Sequence, residues 1–154
     1  MSSTTDPQAT FPVGLFDERH RSGVVALWRE VFSDDPPWNE PNSVIDAKAA
    51  LDDGLFFVAT SDGEVVGTAM GGYDGHRGWV YAVAVRPDLR RQGIAKELME
   101  AVERALVARG CIKLNLQVRA SNTAVVGFYE SLGYAAEERV SMGKLLVRKP
   151  EWNV

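Results

Sequence analysis

The chain has 154 residues, of which 45% are hydrophobic and 25% charged. This length matches one typical domain of roughly 100–200 residues and predicts a compact apolar core. No stretch approaches the roughly 20 apolar residues of a membrane span, and the N-terminus lacks the features of a signal peptide, so we expect a cytoplasmic protein without membrane contact. One cysteine and two histidines leave little material for a metal site. A net charge of −4 argues against nucleic acid as a partner.

The N-terminal part predicts a tail followed by a helix. Residues 1–9 are polar and aperiodic, and we expect a flexible tail there, with a single domain over 10–154. Apolar residues recur at helical spacing from Val24 and predict a helix that runs to about Phe32. Ser22 is the expected cap of this helix.

A proline-rich loop separates this helix from a second one. Residues 33–41 contain three prolines, which disfavour helix both at their own positions and in the residue before. Asn42 or Ser43 then caps a second predicted helix that ends near Asp52.

Three strands are predicted in the middle of the chain. The apolar runs 55–59 and 65–70 flank Asp62-Gly63, a dipeptide typical of β-hairpin turns. Residues 71–78 include four glycines and predict a loop. A third apolar run, 79–85, is the next strand.

The second half alternates helices and strands. A helical apolar face over 94–106 is closed by Gly110, and a strand is expected at 112–118. A shorter helix covers 124–132, and a last strand is expected within 139–147. This order predicts a mixed α/β sheet.

The sharpest motif lies where the strand 79–85 passes into the following helix. Gly93 and the small Ala95 stand in the first helical turn, where free backbone N–H groups and the helix dipole favour phosphate. Arg90, Arg91 and Lys96 add positive charge. An ordinary strand-to-helix turn with a solvated basic patch explains the same residues. Neither a P-loop nor a G-x-G-x-x-G motif occurs.

The segment Arg90-Arg91-Gln92-Gly93-Ile94-Ala95 resembles the [R/Q]-x-x-G-x-[G/A] signature of the GNAT superfamily of N-acetyltransferases. A downstream block strengthens the resemblance, with 114–118, Asn122 and 128–134. A narrower resemblance to the small bacterial YpeA-type acetyltransferases rests on the segments 37–39, 66–78 and 108–111.

The resemblance implies the GNAT fold, a mixed, mostly antiparallel twisted sheet flanked by about four helices. It implies acetyl-CoA as cosubstrate, no metal, and a small-molecule or peptide amine as acceptor. The expected mechanism is direct attack of the amine in a ternary complex, in a monomer or homodimer. A regulatory module that binds acyl-CoA without turnover is the alternative, because a fold does not by itself establish a reaction.

Residue by residue, the resemblance implies a cofactor site and a general acid. Backbone N–H groups between Arg91 and Lys96 meet the pyrophosphate, and the main chains of Val83 and Val85 pair with the pantetheine arm. Tyr129 protonates the leaving thiolate. The full cofactor set is Val83, Val85, Arg90, Arg91, Gln92, Gly93, Ile94, Ala95, Lys96, Asn122, Phe128 and Tyr129. Taken alone, Asn122 is equally a helix cap, and Tyr129 a half-buried aromatic residue.

The general base and the acceptor site are less defined. The strand 79–85 carries no carboxylate where many relatives have a glutamate, so water, Asp74, His76 or Glu40 must accept the proton. Of these, we name His76 and Asp74 as candidate catalytic residues. The candidate acceptor-binding residues are Trp38, Glu40, Tyr73 and Asp74. Cys111, with no histidine nearby in sequence, is expected to be an inert core thiol.

Overall fold

The computed structural model describes residues 11–154, so the expected tail at 1–9 lies outside the described residues. The chain divides into two compact units, Met1–Leu116 and Gln117–Val154. A single domain over 10–154 stays a prediction.

The first unit is built on a sheet of five strands in the order β1-β2-β3-β4-β5. Neighbouring strands from β1 to β4 are antiparallel, whereas β4 and β5 are parallel, which confirms the mixed, mostly antiparallel sheet. The strands are β1 (Val13–Leu15), β2 (Phe56–Ser61), β3 (Glu64–Tyr73), β4 (Gly78–Val85) and β5 (Leu114–Asn115). The predicted hairpin turn joins β2 to β3, where Asp62 and Gly63 have φ of 50° and 81°, the positive values that such two-residue turns require.

The described residues form four α-helices, the number expected. The first unit contains α1 (Arg21–Val31), α2 (Pro41–Leu51) and α3 (Ile94–Ala108), and the second contains α4 (Thr123–Ser131). α3 is the crossover between the parallel strands β4 and β5, which cannot be joined by a tight turn.

Two predicted caps are wrong. Asp17, not Ser22, caps the start of the first helical region, through a 3-10 turn at Glu18–His20 that runs directly into α1. Glu40 caps α2 in place of Asn42 or Ser43, since its carboxylate reaches the free N–H groups at the start of that helix.

Helices cover both faces of the sheet at β3. A Cβ placed on Gly67 would lie 2.9 Å from side-chain atoms of Ile94 and Leu98, so that position faces α3. The adjacent Thr68 receives a hydrogen bond from Trp28 of α1, so it faces the opposite side. Buried neighbours on both sides explain the nearly continuous apolar run of β3.

The apolar core on the α1 side joins α1, α2 and three strands. Aromatic stacking runs through it, since the Phe56 ring stacks with those of Phe16 and Trp28 at centroid distances of 4.5 and 5.9 Å. Its buried members are Val24, Leu27, Trp28, Ile45, Phe56, Val58, Met70 and Ala84.

Three strand predictions need correction. β1 was not predicted, because three residues containing Gly14 carry no periodic pattern and form a strand only by pairing with β2. The strand expected at 112–118 shrinks to Leu114–Asn115, and Ile112 is 96% exposed. The residues 139–147 form no strand: their backbone finds no ladder partner among the described residues, and side chains such as Met142 are exposed.

The buried environment expected for Cys111 is confirmed, with its Sγ 3.4 Å from the carbonyl oxygen of Lys113. Over residues 11–154, no helix has the length and apolar character needed to cross a membrane. Within the same residues, no cluster of three or more potential metal ligands occurs.

Gly67→Ala is expected to lower the free energy of unfolding by about 1–3 kcal/mol, because the new methyl group overfills the contact between β3 and α3. Gly72→Ala on the same strand is the matched control, since a Cβ there meets no atom within 4 Å. Denaturant unfolding of both variants measures the difference. Equal stabilities would contradict the close seating of α3.

Candidate functional site

The loop between β4 and α3 is held by specific backbone contacts. The Arg86 N–H donates to the Val66 carbonyl at 2.8 Å and continues the pairing with β3 beyond the end of β4. Pro87–Leu89 then form a 3-10 turn. The Arg86 guanidinium is paired with Asp88 at 2.7 Å and lies 3.5 Å from Glu64, so its charge is largely neutralised locally.

The loop ends in a backbone conformation that selects glycine. Gly93 immediately precedes α3 and has φ of 82°, in the left-handed region. A Cβ on Gly93 would meet nothing within 4 Å, so the space in front of the helix is open. Arg91 also has a positive φ, of 65°. The two residues turn the chain sharply across the start of α3.

The N-terminus of α3 has the properties of an anion site. Among the described residues no side chain caps it, so the free N–H groups of the first turn and the positive end of the helix dipole are available to a ligand. The side chains of Arg90, Arg91 and Lys96 are exposed around it. Ile94, only 2% exposed, anchors the same turn in the core. A phosphate or pyrophosphate group fits this arrangement.

The centre of β4 is irregular. Between two regular pairs of β3 and β4, the single residue Ala69 lies opposite both Ala82 and Val83, which is the arrangement of a β-bulge. Ala82 has φ of 50°, which is unusual for a residue with a side chain.

The other edge of β4 is only partly paired. β5 pairs with Gly78 and Trp79 alone, and in the described part of the chain no further strand pairs with that edge up to Val85. Backbone groups along this edge are therefore suited to an extended ligand that adds like a strand. Val83 and Val85, predicted to make such contacts, lie on it.

The loop before α2 presents an aromatic ring and a fixed carboxylate. Trp38 lies in a 3-10 turn at Pro37–Asn39 and is 41% exposed. The Glu40 carboxylate accepts from the N–H of Asn42 at 3.0 Å and from the N–H and hydroxyl of Ser43 at 2.7 and 2.8 Å. These hydrogen bonds, chiefly those to Ser43, lower the pKa of Glu40 to about 2. Its carboxylate is already engaged as a helix cap.

The loop between β3 and β4 is organised by Asp74. Its Oδ1 accepts hydrogen bonds from the backbone N–H groups of His76 and Arg77, both at 2.7 Å. These bonds, that to Arg77 first, lower the pKa of Asp74 below its usual value. Tyr73 ends β3 just before this loop, and His76 is exposed in it.

Tyr81 is a residue that the sequence reasoning missed. It is 53% exposed on β4, and its ring lies 6.5 Å from that of Trp79, two positions earlier on the same face. Burial and then the negative charge of Asp74 raise the pKa of its hydroxyl. The alternation of Trp79 and Tyr81 in the sequence was the available signal for an aromatic surface beside Asp74.

In the second unit, α4 carries the remaining predicted residues. The Asn122 side chain caps this helix by accepting from the Val125 N–H at 3.4 Å. The Tyr129 ring makes edge contacts with Phe128 and Tyr134 at centroid distances of 5.1 and 5.8 Å. Burial raises the pKa of Tyr129 to about 12.

The chain matches known acetyltransferases over most of its length. Residues 25–134 match the model of the acetyltransferase (GNAT) family. A protein named acetyltransferase from Pectobacterium atrosepticum is 43% identical over 140 residues, which cover 91% of this chain and 99% of that protein. A protein with the same name from Yersinia enterocolitica is 42% identical with the same coverage.

Solved structures share the fold at low sequence identity. An aminoglycoside N-acetyltransferase solved with CoA aligns with a TM-score of 0.72 at 21% identity, over 90% of this chain and 96% of that one. Glucosamine-6-phosphate N-acetyltransferase from Arabidopsis thaliana aligns with a TM-score of 0.67 at 19% identity, over 90% and 99%.

The raised pKa of Tyr129 predicts a late phenol titration. At pH 11 a phenol with the usual pKa near 10 is about nine-tenths ionised, whereas Tyr129 should remain almost wholly protonated. NMR of protein labelled with ¹³C at the tyrosine Cζ carbons measures the ionisation of each tyrosine against pH. The Tyr129 signal is assigned by its loss in Tyr129→Phe. The unfolded state loses its Tyr129 proton first, so this residue's contribution to stability declines as the pH rises from 10 to 12. Ionisation of Tyr129 by pH 11 in the folded protein would contradict the burial.

Proposed function

The chain belongs to the acetyltransferase (GNAT) family, and on that premise we propose that it moves an acetyl group from acetyl-CoA to a primary amine. Members of this family act on small-molecule or peptide amines. The observation that carries the proposal is the uncapped start of α3, which stands behind a basic loop within the matched residues.

In this proposal the loop before α3 holds the pyrophosphate of acetyl-CoA. Backbone N–H groups from Arg91 to Lys96, including those of Gln92 and Ala95, donate to phosphate oxygens, while the exposed cationic side chains add charge. The open space at Gly93 supports this, because any side chain there would stand in front of the first helical turn.

The partly paired edge of β4 supports a proposal for the pantetheine arm. Val83 and Val85 offer main-chain groups to its amides as an added strand would. Asn122 and Phe128 complete the proposed contacts to acetyl-CoA.

The proposed reaction needs three groups besides the substrates. A neutral amine attacks the thioester carbonyl, and the main-chain N–H of Val83 stabilises the developing oxyanion. The carbon–sulfur bond then breaks, and Tyr129 donates to the leaving sulfur. The proton lost by the amine nitrogen returns to the Tyr129 oxygen through the base or water, so that the products are an amide and CoA thiol.

A pKa of about 12 supports a donor role for Tyr129, because the hydroxyl then keeps its proton throughout the physiological pH range. A cysteine-like thiol has a pKa of about 8.5 and holds its proton less tightly than this phenol. Tyr129 therefore begins as a hydrogen-bond donor to the sulfur, and full transfer is coupled to proton loss from the amine.

For the base, we propose His76 or water ahead of Asp74. The lowered pKa of Asp74 makes its carboxylate a weak proton acceptor, and Oδ1 already accepts two backbone hydrogen bonds. The His76 side chain is exposed in the same loop and can accept a proton at an imidazole nitrogen.

We place the acceptor site between the loop that carries Trp38 and the loop that follows Tyr73. The aromatic ring and the charge of Asp74 suit a cationic acceptor. Glu40 contributes there mainly by fixing the loop that carries Trp38, since its carboxylate caps α2.

Gly93→Glu is expected to lower the affinity for acetyl-CoA at least tenfold, about 1.4 kcal/mol, because it places bulk and negative charge in the anion site. Gly110→Glu is the matched control: Gly110 follows the other end of α3, has φ of 85° and is equally open, so backbone strain and added charge are alike. Calorimetric titration of both folded variants with acetyl-CoA measures the two affinities. Equal affinities would refute the pyrophosphate site.

Tyr129→Phe is expected to reduce kcat by about 10²–10⁴-fold while acetyl-CoA binding stays within a few-fold, because only the proton donor is removed. Release of CoA thiol with a panel of amines, with products identified by mass spectrometry, measures turnover. Wild-type protein that binds acetyl-CoA but acetylates no amine would favour the regulatory module, which the absence of a carboxylate from β4 mildly supports. An unchanged kcat in Tyr129→Phe would show that Tyr129 is not the proton donor and only packs beside the site.

A further inference from the structure

A chain of two hydrogen bonds, the first buried and the second part-buried, ends at the bulge of β4. The Trp28 Nε1–H donates to Thr68 Oγ1 at 2.8 Å, and the Thr68 hydroxyl donates to the carbonyl oxygen of Ala82, also at 2.8 Å. An indole N–H can only donate, so the Thr68 oxygen must accept it. The single hydroxyl proton is thereby directed to Ala82.

The surroundings leave these groups little freedom. Thr68 is fully buried and Trp28 is 4% exposed, so the bond between them is shielded from water. The bond from Thr68 to the carbonyl of Ala82 is part-buried. The Trp28 ring stacks on Phe56, with an angle of 13° between the ring planes. Trp28 and Thr68 are 40 residues apart in the chain, so the contact joins α1 to β3.

The bond to Ala82 fixes more than one atom. The peptide between Ala82 and Val83 is planar and trans, so its carbonyl and its N–H point in opposite directions. A carbonyl held toward Thr68 aims the Val83 N–H away from Thr68. Ala82 holds a positive φ inside a strand, a conformation that persists only when its neighbours fix it.

We propose that Thr68, oriented by Trp28, is a positioning residue that holds the Ala82–Val83 peptide at the angle needed for the Val83 N–H to meet the oxyanion. This inference rests on the proposed acetyl transfer. Thr68 touches neither substrate and acts through the peptide. Its loss should therefore weaken stabilisation of the transition state more than binding of acetyl-CoA.

The test compares Thr68→Val, which keeps the shape but removes the hydroxyl, with Thr68→Ser, which keeps the hydroxyl. We expect Thr68→Val to lower kcat at least tenfold with the acetyl-CoA KM within about threefold, and Thr68→Ser to stay within about threefold of wild type. Ile45→Ala, in the same core but away from the bulge, controls for lost stability. All variants are assayed well below their melting temperatures.

Trp28→Phe is a second variant that tests the same proposal if Thr68→Val fails to fold. It removes the orienting donor but leaves the Thr68 proton, so kcat should fall less than in Thr68→Val and more than in Ile45→Ala. Equal kcat values in Trp28→Phe and Ile45→Ala, or in Thr68→Val and wild type, would overturn the inference. A wild type without any turnover would instead overturn the proposed function, and the positioning role with it.

Discussion

The close seating of α3 against glycine positions of the sheet is the constraint on which the candidate site depends. Side-chain atoms of Ile94 and Leu98 lie only 2.9 Å from where a Cβ of Gly67 would be. Atoms of Cys111 and Leu106 lie 2.8 and 2.9 Å from the corresponding position at Gly78. These contacts fix α3 at both ends. Because Ile94 is the first residue of the helix, they also fix the free N–H groups of its first turn just beyond the end of β4.

β3 links the two chemically distinct parts of the site in the first unit. Gly67 faces α3 and so sets the position of the anion site, whereas Thr68 faces α1 and holds the bulge of β4. Neighbouring residues of a strand point to opposite faces, so a shift of one residue in register would lose both contacts together. The central strand therefore sets the distance along β4 between the phosphate end and the acyl end of the proposed acetyl-CoA site.

Local patterns in the sequence predicted much of this arrangement. The hairpin at Asp62-Gly63 and the helix after Gly93 each depend on residues close in sequence, and the structure has both. The basic loop was predictable because its two defining features, a glycine that can adopt a positive φ and several cationic side chains, lie within a few adjacent residues of the sequence. The same reasoning found the short α4.

Features set by distant contacts were not predictable. An apolar run such as 79–85 does not reveal which residue is the extra one in a bulge. The bulge at Ala82 depends on pairing with β3 and on the hydrogen bond from Thr68, both of them contacts distant in sequence. The cap by Glu40 was missed because two polar residues nearby, Asn42 and Ser43, are equally plausible caps in the sequence. The strand expected within 139–147 shows the opposite error, since apolar residues alone cannot supply a pairing partner.

The most direct measurement of the central claim is a backbone amide NMR titration of the wild-type protein with CoA. We expect the largest shift changes on the amides from Arg91 to Lys96, with a second group at Val83 and Val85 and little change at Gly110. Changes concentrated elsewhere on the chain, with the amides of the α3 N-terminus unmoved at saturation, would contradict it.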